Sequence, residues 1–291
     1  MQTKKKLLIT GAGGYTGLHA SRYFSDKGWD ILCVSRSAGV SCDITDAGKL
    51  ETLVSDYCPD YCLHLAAVNS VPVSWTSPQT SIAVNVMGTL HLFEAIRKFA
   101  PGCRIVVTGS ILEKNLQSEE LPPHPYSLSK SFQTLLSRSW TSFYGMDIIV
   151  AKPCNLIGPG SSTGICSLLV KKIIDIEQNK AENQILLNNP NSTREFLDVR
   201  DAVSAYEVLF EKGQKGSSYE IGSGIRRSLG EVLDELENHT AIKLNIISHP
   251  LSAVDHFFTQ DLKPIKDLGW EPALSFSKSI SDVFHYYRTE H

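Results

Sequence analysis

The 291-residue sequence has little excess charge of either sign: 28 basic and 31 acidic side chains leave a net charge of −3. So weak a field does not draw nucleic acid or an anionic membrane to the surface as a whole, and an anionic ligand needs local cations. Long apolar runs are missing too. Three lysines near the start are followed by only Leu7-Leu8-Ile9 before glycines intervene, which fits neither a signal peptide nor a membrane span, and a cytoplasmic location is expected. Cysteine is present but unorganised. The seven thiols are an odd set, and the closest pair, Cys58 and Cys62, has no second pair or histidine cluster to complete a zinc site, so reduced thiols and no metal are expected. Low-complexity tracts and internal repeats are also lacking. With 42% hydrophobic and 20% charged residues the composition is that of a folded chain, long enough for one generous α/β domain and a smaller lobe.

Apolar segments alternate with amphipathic ones. The pattern predicts strands at Lys6–Thr10, Ile31–Ser35, Tyr61–Leu65, Arg104–Thr108 and Asp147–Ala151, with helices over Gly14–Lys27, Asp46–Tyr57, Pro78–Phe99 and Tyr126–Tyr144. Such alternation implies an α/β fold, a doubly wound parallel sheet with helices on both faces. After Asn155 the pattern changes. Gly158-Pro159-Gly160 breaks it, and later helices are expected near Ile165–Asn179, Asp201–Lys212 and Ser228–His239. The division that follows is a dinucleotide-binding domain of residues 1–158 and 195–225, and a discontinuous substrate lobe of residues 159–194 and 226–291 closing over the carboxyl edge of the sheet.

The segment Thr10-Gly11-Ala12-Gly13-Gly14-Tyr15-Thr16-Gly17 follows the first strand directly and opens the first helix. Glycines at 11, 14 and 17 permit a tight turn and let a pyrophosphate approach the backbone, while the helix amino end offers N–H donors and a positive dipole. A glycine-rich turn that merely joins strand to helix is the bland alternative, and its place after an amino-terminal strand disfavours that. Gly11, Gly14, Tyr15, Thr16 and Gly17 are therefore the expected cradle. The second strand ends in Ser35-Arg36-Ser37, where an acid would hold the ribose hydroxyls of NAD. An arginine flanked by hydroxyls suits a 2′-phosphate instead, so Ser35 and Arg36 predict NADP rather than NAD.

Tyr126 and Lys130 are one helical turn apart, which puts phenol and ammonium on one helix face. An unperturbed tyrosine has a pKa of about 10, and an adjacent positive charge favours phenolate and proton exchange near neutral pH. Any long helix can carry such a pair by chance. Upstream, Val106-Val107-Thr108-Gly109-Ser110 ends a predicted strand, which puts Ser110 in place to hydrogen-bond a substrate carbonyl beside the phenol.

Taken in order, the glycine motif, Asp43-Ile44-Thr45-Asp46, His64-Leu65-Ala66-Ala67, Asn85-Val86-Met87-Gly88-Thr89, Ser110, Tyr126-x3-Lys130 and Pro153-Cys154-Asn155-Leu156-Ile157-Gly158-Pro159-Gly160 resemble the extended short-chain dehydrogenase/reductase family over nearly the whole chain. The resemblance implies that Asp43 contacts adenine with Ile44 beside it, that Leu65, Ala66 and Ala67 line the dinucleotide together with Pro153, and that Lys130 holds the nicotinamide ribose. His64, at a buried strand end, fits a satisfied core histidine. The carboxyl-terminal half is similar to the nucleotide-diphosphate-sugar branch at Arg194–Asp201, Tyr219–Gly224 and Leu268-Gly269-Trp270. That likeness implies Arg194 for the diphosphate and Asn155 for the sugar nucleotide, with Asp201 as a helix cap and Trp270 as a packing residue. The chain departs from the branch at Lys152, at Glu220, and in having no arginine near Pro250–Asp255. Relatives commonly dimerise through two helices, here those over Pro78–Phe99 and Tyr126–Tyr144, so a homodimer is expected.

The branch includes 4,6-dehydratases, which carry an acid and a base directly after the counterpart of Ser110. Ile111 and Leu112 stand there and cannot move a proton, although Glu113 follows one step later. An epimerase retains its cofactor and usually uses NAD, whereas a reductase draws NADPH, so Ser35-Arg36-Ser37 favours reduction. The run Ile174–Asn188 followed by Arg194–Tyr206 is most similar to GDP-4-keto-6-deoxy-mannose reductases. The expected reaction is reduction of the C4 ketone of a nucleotide-linked 4-keto-6-deoxy sugar, with Tyr126 as proton donor, Lys130 tuning it and Ser110 polarising the carbonyl. Epimerisation is the alternative within the family. A non-catalytic, dinucleotide-binding regulatory protein is the alternative outside it, and intact Ser110, Tyr126 and Lys130 weigh against that.

Overall fold

The computed structural model describes residues 4–114, 116, 120–187, 189–248 and 260–290, so Asn188 and the Pro250–Asp255 segment lie outside the described residues. The chain divides into two units, one of Met1–Pro153, Val203–Glu220 and Lys263–Trp270, the other of Cys154–Ala202, Ile221–Leu262 and Glu271–His291.

The first unit is the doubly wound sheet. Strands β1 (Lys6–Thr10), β2 (Asp30–Ser35), β3 (Val40–Ser41), β4 (Tyr61–His64), β5 (Arg104–Thr108) and β6 (Asp147–Pro153) pair in parallel, and Ser218–Ile221 adds a seventh strand beyond β6. Leu7, Ile9, Leu63 and Val106 are fully buried, because helices cover both faces, and the strands read as apolar runs rather than alternating ones. Helices α1 (Tyr15–Asp26), α2 (Ala47–Tyr57), α3 (Thr89–Phe99) and α4 (Pro125–Tyr144) form the covering layers. Leu92, Phe93 and Ile96 of α3 are buried against Leu8, Val54 and Ile105, each such side chain contributing roughly 2 kcal/mol. The strand order reads β3-β2-β1-β4-β5-β6, so its direction reverses between β1 and β4. Open α/β sheets take ligands at the carboxyl edge of that switch point.

The single helix expected over Pro78–Phe99 is wound in three pieces: Pro78–Ile82, a π-helical stretch Ala83–Gly88, and then α3. The wider turn admits an extra residue. Asn85 lies in it, and its carboxamide takes the Val68 N–H at 2.7 Å and donates to the Val68 carbonyl at 3.0 Å, which ties the helix to the segment after β4. Helix α4 starts where Pro125 supplies a fixed φ and the His124 ring accepts the Ser127 N–H at 2.9 Å, and it ends at Gly145 with φ +67°.

In the second unit Thr193–Asp198 is the middle strand of a three-stranded sheet, parallel to Asn155–Ile157 and antiparallel to Arg226–Ser228. Helices Ile165–Glu177, Leu229–Glu237 and Phe276–Glu290 bury Val170, Ile173, Leu233, Ile280 and Phe284 in one cluster with Phe196. Residues 154–158 and 195–202 thus group with this sheet, whereas the sequence pattern assigns 154–158 and 195–202 to the dinucleotide domain. Asp201 was expected to cap its helix. It lies inside the first turn instead, where its carboxylate takes the Leu274 N–H at 2.9 Å, and Asp198 accepts the Arg200 N–H at the helix start. Trp270, in the first unit, is buried and donates to Ser204 at 3.0 Å.

Candidate active site

The glycine turn between β1 and α1 is shaped by contact, as its spacing predicts. Gly11 has φ +73°, and a Cβ there would lie 2.6 Å from the Ala66 nitrogen, so the loops after β1 and β4 touch backbone to backbone. A Cβ on Gly17 would strike the Gly11 carbonyl, and one on Gly13 would lie 2.8 Å from the Ser35 hydroxyl and 2.9 Å from that of Ser37. Gly14 stands at the cap position of α1 with no side-chain cap and no acid in the first turn, so the amino end at Tyr15 and Thr16 keeps its positive character. Such a cradle fits the pyrophosphate of a nicotinamide dinucleotide. The backbone of Leu65 and Ala66 faces Gly11, with Ala67 next in the chain, and Leu65 donates its N–H to the Thr10 carbonyl at 3.1 Å.

At the end of β2 the Ser35 hydroxyl closes a local turn. It donates to the Ala38 carbonyl at 2.6 Å and accepts the Ser37 and Ala38 N–H groups at 3.2 and 2.7 Å, which leaves Arg36 exposed at the tip. Asp43 accepts the Thr45 N–H and hydroxyl at 2.9 and 2.8 Å, and these bonds, with a smaller contribution from the Arg36 cation, hold its carboxyl below the usual range. Ile44 is buried, and a Cβ on Gly88 would lie 2.6 Å from its side chain. Pro153 ends β6.

The proposed reacting groups stand at the carboxyl end of β5. Tyr126 and Ser110 are both 7% exposed. Burial pushes the phenol above its ordinary value, the nearby Ser110 hydroxyl opposes this, and the Glu113 carboxylate adds to the rise. The sequence suggested the opposite direction, through a lysine beside the phenol. Lys130 instead donates to the Thr108 carbonyl at 2.7 Å and to Gln133 Oε1 at 2.8 Å. Burial lowers the ammonium to about 8, against a smaller raising effect of Glu113. The phenol therefore keeps its proton at neutral pH.

Beneath Lys130 runs a fully paired polar network. Gln133 Nε2 donates to the Thr89 hydroxyl at 2.8 Å, and that hydroxyl donates to the Asn85 carbonyl at 2.7 Å. Thr89 has one proton, so His64 Nε2, 2.8 Å away, must be the donor to it, and Nδ1 accepts from the Thr10 hydroxyl at 2.7 Å. Burial, with the Lys130 charge adding, holds His64 down to about 3, which makes it a neutral structural residue. Sequence reasoning missed Gln133, and also missed the Asn85 amide bond to Ser129 at 2.9 Å. Gln133 falls at the spacing of Tyr126 and Lys130 along α4, which is the signal that pointed to it.

In the second unit Asn155 donates to the Glu195 carbonyl at 2.9 Å. Arg194 is exposed on the middle strand, opposite Arg227, and donates to the Thr193 carbonyl at 2.8 Å. Glu195 is buried and accepts the Gly224 N–H at 2.7 Å, so it braces the Gly222–Gly224 turn.

Residues 7–222 match the model of the NAD dependent epimerase/dehydratase family. Among curated proteins the chain is similar to the GDP-6-deoxy-D-mannose reductase of Pseudomonas aeruginosa, 27% identical over 296 residues and covering 96% of both chains. Among solved structures it is similar to RMD from Pseudomonas aeruginosa complexed with NADPH, with a TM-score of 0.89 and 24% identity over 99% of this chain and 100% of the other. It is also similar to the UDP-glucose 4-epimerase of Thermotoga maritima with UDP-glucose, with a TM-score of 0.87 and 21% identity over 98% of this chain and 99% of the other.

Proposed function

Because the chain belongs to the NAD dependent epimerase/dehydratase family, we propose that it reduces the C4 ketone of a nucleotide-linked 4-keto-6-deoxy sugar with NADPH. The observation that carries this reading is a Tyr126 phenol and a Ser110 hydroxyl that are both nearly buried, Ser110 just past the end of β5 and Tyr126 in the first turn of α4. A bound reduced nicotinamide supplies the hydride. The chain's own part is to polarise the ketone oxygen through the Ser110 hydroxyl and to hand that oxygen the Tyr126 proton, a general-acid step typically worth about 10²–10⁴ in rate. Lys130 would hold the nicotinamide ribose. Dehydration is disfavoured because Ile111 and Leu112 carry no proton and Glu113, the next acid along the turn, has both oxygens engaged, by Lys152 and Thr134. The likeness to a GDP-6-deoxy-D-mannose reductase, and to a structure holding NADPH, supports both the reaction and the cofactor. The exposed guanidinium of Arg36 suits the 2′-phosphate that distinguishes NADP from NAD.

Asn155 and Arg194 are assigned to the sugar nucleotide, with Arg194 at its diphosphate. Phe132, Leu135 and Phe143 of α4 are 39, 49 and 68% exposed, an apolar face that suits the homodimer expected of the family. No described helix is long and apolar enough to cross a membrane, and the reading places the enzyme with the cytoplasmic NADPH pool.

The test is incubation of purified protein with NADPH and GDP-4-keto-6-deoxy-mannose, following NADPH absorbance and identifying the product by NMR. Stoichiometric NADPH loss with a new C4 hydroxyl is expected. An inverted stereocentre without NADPH consumption would make it an epimerase, and dinucleotide binding with no turnover on any nucleotide-linked 4-keto sugar would make it a regulatory protein.

A further inference from the structure

Helix α4 opens with an imidazole where a short polar side chain is the common cap. His124 stands at the cap position with extended backbone, and its Nδ1 accepts the Ser127 N–H at 2.9 Å. Serine, threonine, aspartate and asparagine are the preferred caps, so capping alone gives no reason for a ring. The bond has a second consequence. A nitrogen that accepts an N–H carries no proton, so in the neutral imidazole the proton sits on Nε2 and makes it a donor. Burial lowers the proton affinity of the ring, which keeps this neutral form at physiological pH. A second proton, at Nδ1, would also set donor against donor at the Ser127 N–H.

The same ring lies nearly parallel to that of Tyr126, with 6.0 Å between centres and 22° between planes. Its neighbours in the first turns of α4 direct their donors elsewhere. Ser127 donates to the Leu112 carbonyl at 2.6 Å, Ser129 to the Tyr126 carbonyl at 2.8 Å, and Lys130 to the Thr108 carbonyl and Gln133. His124 is half-buried, and among the described residues its Nε2 has no hydrogen-bond partner. Resting on the reading of Tyr126 as the general acid, we propose that His124 is a specificity-determining residue of the reduction: its Nε2–H donates to the C3 hydroxyl of the sugar whose C4 ketone meets Tyr126 and Ser110. In a 4-keto-6-deoxy sugar the ketone carbon lies between C3, which bears a hydroxyl, and C5, which bears the methyl. Of these two substituents only the hydroxyl oxygen can accept an N–H. A sugar without it leaves the imidazole donor unmatched, and a site built to pair with a substrate hydroxyl discriminates on that ground.

The test compares GDP-4-keto-6-deoxy-mannose with its 3-deoxy counterpart, each with NADPH, on the wild type and on His124→Ser. Serine keeps a cap for the Ser127 N–H but is too short to offer the sugar a donor, and a circular dichroism spectrum checks that the fold survives. The wild type is expected to favour the 3-hydroxy sugar in kcat/KM. His124→Ser is expected to lose roughly tenfold of that preference, through a higher KM for the 3-hydroxy sugar with kcat nearly kept. Should His124→Ser not fold, His124→Thr keeps the cap and carries the same expectation. A loss of equal size for the two sugars overturns the proposal, because the ring then only supports the phenol. Turnover by the wild type with a preference that His124→Ser leaves unchanged overturns the role of His124 alone. A wild type that turns over neither sugar overturns the functional reading, and the role of His124 with it.

Discussion

Replacing Lys130 by methionine should separate the stability of the fold from the chemistry of the site, through pH. Lys130 is 2% exposed, and burial takes its ammonium from 10.5 to about 8. At about 1.4 kcal/mol per pH unit that fall corresponds to about 3 kcal/mol. Below pH 8 the native and unfolded chains both carry the proton, between about 8 and 10.5 only the unfolded chain does, and above 10.5 neither does. The wild type should therefore gain about 3 kcal/mol relative to Lys130→Met as pH rises through that window, with no relative change on either side of it. At neutral pH the comparison is blunt, because methionine relieves a buried charge but strands the Thr108 carbonyl and the Gln133 amide oxygen, each at a cost of about 1–3 kcal/mol. The slope carries the information. Urea unfolding of both proteins in steps across the window would measure it, and two stability curves that stay parallel would refute the claim that Lys130 is held charged at a cost.

Tyr126→Phe should fold normally, since it removes one hydroxyl while the neighbouring Ser110 keeps the Leu112 N–H it accepts, yet turnover should fall by roughly a hundredfold or more; steady-state kinetics beside a circular dichroism spectrum checks both halves. Arg36→Met should weaken NADPH binding by roughly tenfold or more and leave NADH nearly unchanged, which fluorescence titration with the two dinucleotides reads directly. His64 has its folded value depressed to about 3 from 6.5, so its contribution is complete above 6.5 and lost as pH falls toward 3. His64→Gln should accordingly be less stable at neutral pH and flatter in acid, and an acid-unfolding curve as steep as that of the wild type would contradict this.

Much of the first unit was legible in the sequence because its signals are local. Apolar runs gave β1, β4, β5 and β6 directly, and the glycine motif announced a backbone approach that the Gly11 to Ala66 contact displays. The placement of Ser110 just past a strand end and of Tyr126 at a helix start was legible as well. What escaped depends on partners distant in the chain. Nothing near Glu113 announces Lys152, and nothing near Lys130 announces that its ammonium turns to Thr108 and Gln133 rather than to the phenol, so the direction of the Tyr126 perturbation came out reversed. The π-helical stretch at Ala83–Gly88 was hidden for a similar reason, because the demand for it comes from Val68 and not from the helix's own residues. The boundaries between the units were the least legible, since nothing local to Asn155–Ile157 announces that it pairs with Phe196–Asp198 in a separate small sheet.

Thr89 spends its single proton on the Asn85 carbonyl and both of its lone pairs on His64 and Gln133. A hydroxyl with every valence committed has no spare geometry, and no solvent molecule can take over one arm without evicting another. The middle of the sheet through His64, the π-helical stretch through Asn85 and the helix of the reacting groups through Gln133 are thereby joined at one oxygen atom. Damage at any of the three ends should spread to the others as a unit, so the accuracy of the chemistry above is inherited from a knot buried well below it.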